Sequence, residues 1–187
     1  MKEMPHPKVN PYEQNRKATR KYGYDYGCTG TYFITTCTDS RKTYFGDVVN
    51  RIMVPSRQGC VANVILHLLP KFHPNITMLD FIVMPDHIHL LFYIHNEEED
   101  IPNTTAQIDL DASASSKNKK STVSSFLSSI KSAITRECHY LNLEMEWQTS
   151  FFDHIVRDQN EEILIRNYID RNPISWEIDK NRNDVWL

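Results

Sequence analysis

The sequence predicts an α+β fold: a ferredoxin-like sandwich with an antiparallel sheet and an additional C-terminal helix. Three observations carry that expectation. Strand-like and helix-like segments follow one another as strand, helix, two strands, helix, strand, helix. Two of the strands are separated only by Pro85-Asp86, a pair with the chemistry of a tight turn, so they form a hairpin. The longer segments carry apolar residues at helical spacing, enough to cover a sheet.

Residues 1–27 are polar, contain Pro5, Pro7 and Pro11, and read as an arm. TYFITTCT (Thr31–Thr38) is rich in β-branched and aromatic residues and reads as the first strand. Val48–Leu69 is expected to be mostly helical but split by Pro55 and Gly59. The helix proper then starts near Cys60, with VANVILHLL as its apolar face, and Pro70 and Pro74 end it. TMLDFIVM (Thr77–Met84) and HIHLLFYI (His87–Ile94) are the paired strands. Residues 96–120, rich in Ser, Asn and Lys and acidic at the start, read as a polar insertion. Val123–Leu143 reads as the second helix, since Val123, Phe126, Leu127, Ile130, Ala133 and Ile134 share one face. FFDHIV (Phe151–Val156) is a short last strand. Asp158 then caps a final helix, with Glu161 three residues on, and Pro173 is expected to stop it near Arg171. This divides the chain into an arm, 1–27, and one domain, 28–187, interrupted at 96–120.

Composition narrows the function. No apolar run approaches the roughly 18 residues of a membrane span, and the first residues lack a secretory apolar core, so the expectation is a cytoplasmic protein without a membrane partner. Cys28, Cys37, Cys60 and Cys138 are irregularly spaced and are expected to be reduced thiols. The net charge of −3 is segregated. Residues 97–111 hold six acids and no Lys or Arg, and the remainder sets 21 basic residues against 18 acidic ones. The arm is itself basic. Such a chain can present phosphate-binding surfaces, although a solvated tail and a solvated loop would look the same.

The chemistry centres on His87 and His89. Residues two apart on a strand share a face, so the two imidazoles lie side by side at a spacing suited to one metal ion, while Ile88 and Leu90 point to the core. An H-x-H pair can also be an ordinary feature of a half-exposed strand. Here the surrounding VMPDHIHLLF is built for burial, and buried rings need partners. On the last helix Tyr168 and Asn172 are four apart and share a face. If that face covers the histidines, the Asn172 amide oxygen is a third ligand and the Tyr168 hydroxyl lies beside the metal. The plainer readings are a core aromatic between Ile165 and Ile169, and a helix-end residue ahead of Pro173. A tyrosine hydroxyl, with an ordinary pKa of about 10, can attack a phosphodiester when a metal polarises the phosphate. Imidazoles suit softer ions than Mg²⁺, while an amide, water and phosphate shell suits Mg²⁺ or Mn²⁺, and Mn²⁺ fits both halves.

With these residues in hand, the chain resembles the REP-associated tyrosine transposases, a branch of the single-tyrosine HUH transposases of bacterial insertion sequences. Five segments carry the resemblance in order: RKATRKYGYDYGCTGTYFITTCT (Arg16–Thr38), FIVMPDHIHLLF (Phe81–Phe92), VSSFLSSIKSAITRE (Val123–Glu137), WQTSFFDHIVRD (Trp147–Asp158) and IRNYIDRNPISWEID (Ile165–Asp179). The resemblance implies metal ligation by His87, His89 and Asn172, and a nucleophile, Tyr168, on the additional helix. It implies cleavage and rejoining of single-stranded DNA near hairpins through a 5′-phosphotyrosine, by a monomer or a homodimer. Arg16, Lys17, Arg20, Lys21, Lys131 and Arg136 are the candidate DNA contacts, with solvated surface charge as the alternative. Trp147, His154 and Arg157 receive no chemistry, and Trp147 is expected to be buried packing. Two other functions fit the same residues: a nickase of this fold for replication or repair, and a domesticated DNA-binding module without catalysis.

Overall fold

The computed structural model describes residues 29–95 and 123–183. The basic arm and the polar insertion therefore lie outside the described residues, as do Arg16, Lys17, Arg20 and Lys21. A four-stranded antiparallel sheet is built from β1 (Gly30–Thr38), β4 (Ile76–Met84), β5 (His87–Ile94) and β6 (Trp147–Val156), in the order β4-β5-β1-β6. That is the predicted ferredoxin-like arrangement.

Alternation along the strands sorts the sheet into two apolar faces. Tyr32 and Ile34 of β1, with Ile88, Leu90 and Phe92 of β5, face one way. They are covered by α1 (Arg57–Leu68), through Ala62 and Leu66, and by α2 (Val123–Tyr140), through Phe126, Leu127, Ile130 and Ile134. Phe33 and Leu91 face the other way, under Ile165 and Ile169 of α3 (Gln159–Asn183). β5 is thus buried on both faces, which is why its sequence reads as a nearly unbroken apolar run. Among the described residues no helix is long and apolar enough to cross a membrane.

Several boundaries differ from expectation. Residues 48–55, expected to open a helix, belong instead to a small second sheet of β2 (Gly46–Val49) and β3 (Ile52–Pro55). Both turn residues, Asn50 and Arg51, have positive φ (52° and 64°), the geometry of a two-residue hairpin, so β-branched residues on either side pair instead of coiling. The helix then starts at Arg57, because the Ser56 hydroxyl accepts a hydrogen bond from the Gly59 N–H at 3.1 Å. At its far end α2 stops at Tyr140, short of Leu143. Asn142 takes φ 56°, and the N–H groups of Asn142 and Leu143 donate to the His139 and Cys138 carbonyls, closing the helix. β6 begins at Trp147, four residues earlier than read, because a register shift in β1 between Thr36 and Thr38 lets Trp147 pair with Thr38. Trp147 itself is only partly buried, packed on Phe45, and donates to Thr135 Oγ1 at 3.0 Å.

The last helix departs most. Asp158 caps it as expected, accepting from the Glu161 N–H at 2.9 Å. Pro173 does not stop it: α3 continues to Asn183 with Pro173 buried inside. A proline removes one backbone bond but leaves the neighbouring turns intact. Contacts beyond it hold the helix in place, with Trp176 against His87 and Glu177 paired with Arg51 of the small hairpin at 3.8 Å.

Candidate functional site

The turn between β4 and β5 sets up the site. The Pro85 carbonyl accepts from the Phe45 N–H at 3.0 Å, and the Asp86 carbonyl accepts from both the N–H (2.9 Å) and the hydroxyl (3.0 Å) of Thr38. So anchored, β5 starts with His87 and His89 on the face beneath α3. The two residues are 6% and 1% exposed. The rings meet edge to face with centroids 4.6 Å apart, and their Nε2 atoms are 3.1 Å apart.

Each ring is held from behind. His87 Nδ1 lies 2.6 Å from Asp86 Oδ1, and His89 Nδ1 lies 2.7 Å from Thr35 Oγ1. A carboxylate can only accept, so His87 Nδ1–H donates, and Nε2 is the nitrogen that carries the lone pair in the neutral ring. The Thr35 hydroxyl can accept in the same way from His89, and in that tautomer both Nε2 lone pairs point to one spot. Burial first, and then the nearby His87 and Arg41, hold the pKa of His89 well below its ordinary 6.5, so that the ring stays neutral.

Tyr168 reaches this pair from α3. Its hydroxyl is 3.3 Å from His89 Nε2, and its ring crosses that of His89 with centroids 5.1 Å apart. Phe33 sits beneath both, stacked on His89 at 5.4 Å and edge-on to Tyr168 at 6.1 Å. Asn172 is 6% exposed on the same helix, one turn further on, and makes no hydrogen bond to either histidine. The fold therefore brings His87, His89 and Tyr168 together, with Asn172 buried nearby along the helix.

Two imidazole nitrogens 3.1 Å apart match neighbouring positions around one metal ion, where metal–nitrogen bonds of about 2.1 Å place cis ligands roughly 3.0–3.4 Å apart. Among the described residues no cluster of three or more His, Cys, Asp or Glu is arranged for a metal. A metal held at this pair would have the two imidazoles as donors, and the amide oxygen of Asn172 has the chemistry to join them.

Lys131 and Arg136 lie on α2, across the sheet from Tyr168. Lys131 donates to the Gln148 carbonyl at 2.9 Å and lies over the Trp147 ring at 5.5 Å, and its burial lowers its pKa. Arg136 is exposed and paired with Glu137 at 3.5 Å. With Ser132, Thr135, His139 and Trp147 they line a shallow groove of about 550 Å³. The structure does not bring this groove to the histidines. Sequence reasoning missed Thr35, Asp86, Arg41, Phe33 and Trp176. Asp86 had been legible only as a turn residue, Trp176 lies on the part of α3 beyond Pro173 where the helix was expected to have ended, and the others depend on strand register or a turn that no spacing announces.

Fold and site together define a ferredoxin-like α+β protein in which a tyrosine-bearing helix covers paired histidines on the central sheet. No protein-family model matches the chain. It is 29% identical to an uncharacterised protein of Haemophilus influenzae, over 92% of this chain and 96% of that one. A second Haemophilus influenzae protein, provisionally described as a REP-associated tyrosine transposase, is 22% identical over 82% of this chain and 75% of its own length. Among solved structures, a REP-associated tyrosine transposase bound to a REP hairpin aligns with a TM-score of 0.54 at 20% identity, covering 83% of this chain and 72% of that chain. The chain resembles the REP-associated tyrosine transposases, and it has their fold.

Proposed function

We propose that this protein is a transposase of the single-tyrosine type, which cuts and rejoins single-stranded DNA beside hairpins. The observation that carries the reading is the Tyr168 hydroxyl 3.3 Å from His89 Nε2, with His87 Nε2 a further 3.1 Å away. Tyr168 Oη bonds to phosphorus as the P–O3′ bond breaks. The hydroxyl proton is lost, the departing oxygen takes one up, and the products are a 5′-phosphotyrosine and a free 3′-OH. Attack by another 3′-OH reverses these steps and rejoins the strand. A divalent ion, Mg²⁺ or Mn²⁺, held by His87, His89 and Asn172, supplies charge stabilisation at the phosphate oxygens. His89, kept neutral by burial, holds its lone pair for that ion, and Phe33 fixes the angle between the His89 and Tyr168 rings. Hairpin DNA as substrate rests on the hairpin bound by the transposase of the same fold. Such a protein acts on DNA in the cytoplasm.

The test is incubation with end-labelled single-stranded hairpin DNA and Mn²⁺, then denaturing electrophoresis. A covalent adduct is expected, lost in Tyr168→Phe and retained in Tyr140→Phe, because Tyr140 is 82% exposed at the end of α2 on the opposite side of the sheet. An adduct that survives Tyr168→Phe overturns the assignment of the nucleophile. Binding without cleavage under Mg²⁺ and Mn²⁺ makes the protein a DNA-binding module instead.

A further inference from the structure

We propose that Asp86, held in place by Arg41, is the positioning residue that makes His87 a metal ligand, and that Thr35 has the corresponding, uncharged role for His89. The inference rests on the reading of the two histidines as a divalent-metal pair and assigns what orients them.

Asp86 is buried, and both of its carboxylate oxygens are committed. Oδ1 faces His87 Nδ1 at 2.6 Å and Oδ2 faces Arg41 Nε at 2.9 Å. An imidazole has two nitrogens, and the partner of one decides what the other can do. A carboxylate on Nδ1 fixes the proton there, leaves Nε2 as the donor atom and makes it more basic. His87 Nε2 is the atom that converges on His89 Nε2.

The segment following β1 is shaped to hold Asp86. Thr38 secures its carbonyl twice, and the chain then turns back through Ser40 and Arg41, both with positive φ (50° and 56°). Neither is glycine, so the turn adopts a backbone conformation that L-residues take rarely. Its result is to carry Arg41 back to the carboxylate. A second contact, from Nη1 to Cys37 Sγ at 2.7 Å, keeps the half-exposed guanidinium from swinging away. A buried carboxylate without a cation would be costly, and Arg41 removes that cost while leaving Oδ1 to the imidazole. At His89 the equivalent partner is the Thr35 hydroxyl at 2.7 Å, placed there because Thr35 pairs with His89 across β1 and β5. His87 is thus backed by charge and His89 by a dipole.

Two measurements on the full chain test this. The first is Mn²⁺ affinity without DNA, read by calorimetry. Asp86→Ala is expected to weaken binding roughly 10–100-fold, the usual effect of losing such a partner. Asp86→Asn, which keeps an acceptor but not the charge, falls between, and Arg41→Lys restores much of what Arg41→Ala loses. Thr35→Val is expected to have the smaller effect. The second is the tautomer of His87, read in the metal-free protein from long-range proton–nitrogen NMR correlations. It should be the Nδ1–H form in the wild type and a mixture in Asp86→Ala. If Asp86→Ala does not fold, Asp86→Asn carries both measurements. Wild-type affinity in the Asp86 variants, while His87→Ala abolishes binding, would overturn this inference and leave the metal reading standing. Wild-type affinity in His87→Ala, or no Mn²⁺ binding by the wild type, would overturn both.

Discussion

At His89, burial and chemistry pull the same way. A covered imidazole resists protonation, and a neutral imidazole is the form that binds a metal, so desolvation favours the state that the proposed ligand role needs. Replacement of His87 or His89 by Ala is expected to abolish the covalent adduct while leaving hairpin binding nearly unchanged. Gel-shift and cleavage assays run side by side check this. Phe33 supports the pair from below and is fully buried. Phe33→Ala should cost about 3–5 kcal/mol in urea denaturation, the usual range for emptying a large core site, and should also slow adduct formation by freeing Tyr168. His73 offers a separate test by pH. Partial burial beside Phe126 lowers its pKa below 6.5, so as pH falls the unfolded chain takes up a proton before the folded one does. Its contribution is intact above 6.5 and is lost as pH drops below that value toward the folded pKa. In His73→Gln the denaturation midpoint should depend less on pH between 7 and 5. The histidine pair itself was legible in the sequence, because period two on an apolar strand puts both rings on one face. Thr35 and Arg41 were not, since one depends on cross-strand register and the other on a left-handed turn of ordinary residues.

Among the elements, those whose signal is periodic were read well and those set by a single turn were not. β5 and α2 carry long apolar patterns and start where expected, although α2 ends at Tyr140, short of Leu143. The hairpin β2–β3 was hidden because its turn is Asn50-Arg51, without the glycine that usually marks this geometry. Pro173 misled in the opposite sense: tertiary contacts at Trp176 and Glu177 carry α3 past a residue that ends most helices. α1 shows how closely the hairpin and the helix fit. A Cβ on Gly59 would come within 2.1 Å of the Phe45 carbonyl oxygen and 3.0 Å of Pro55 Cβ. That oxygen already accepts from the Ser56 N–H at 2.8 Å, so it cannot readily give way. Gly59→Ala is expected to destabilise the fold by about 1–3 kcal/mol despite its favourable helix propensity, measured by urea titration.

Across the whole molecule, the order of elements was enough to predict the sheet, because a ferredoxin-like path leaves few ways to bury two helices on one face. What the order did not reveal is that the opposite face is covered by α3, which packs on Phe33 and Leu91 and carries Tyr168 at the same time. One helix is both the roof of the second core and the bearer of the hydroxyl. A reading frame cut short before residue 159 would therefore produce a chain lacking Tyr168 with Phe33, Leu91, Ile82, Phe152 and Val156 bared on a sheet face. Expressed on its own, a chain ending at Val156 is expected in the insoluble fraction or to be degraded, which cell fractionation and a pulse-chase would reveal. Because the cover of the second core and the proposed nucleophile share one helix, losing that helix is expected to cost stability and activity together.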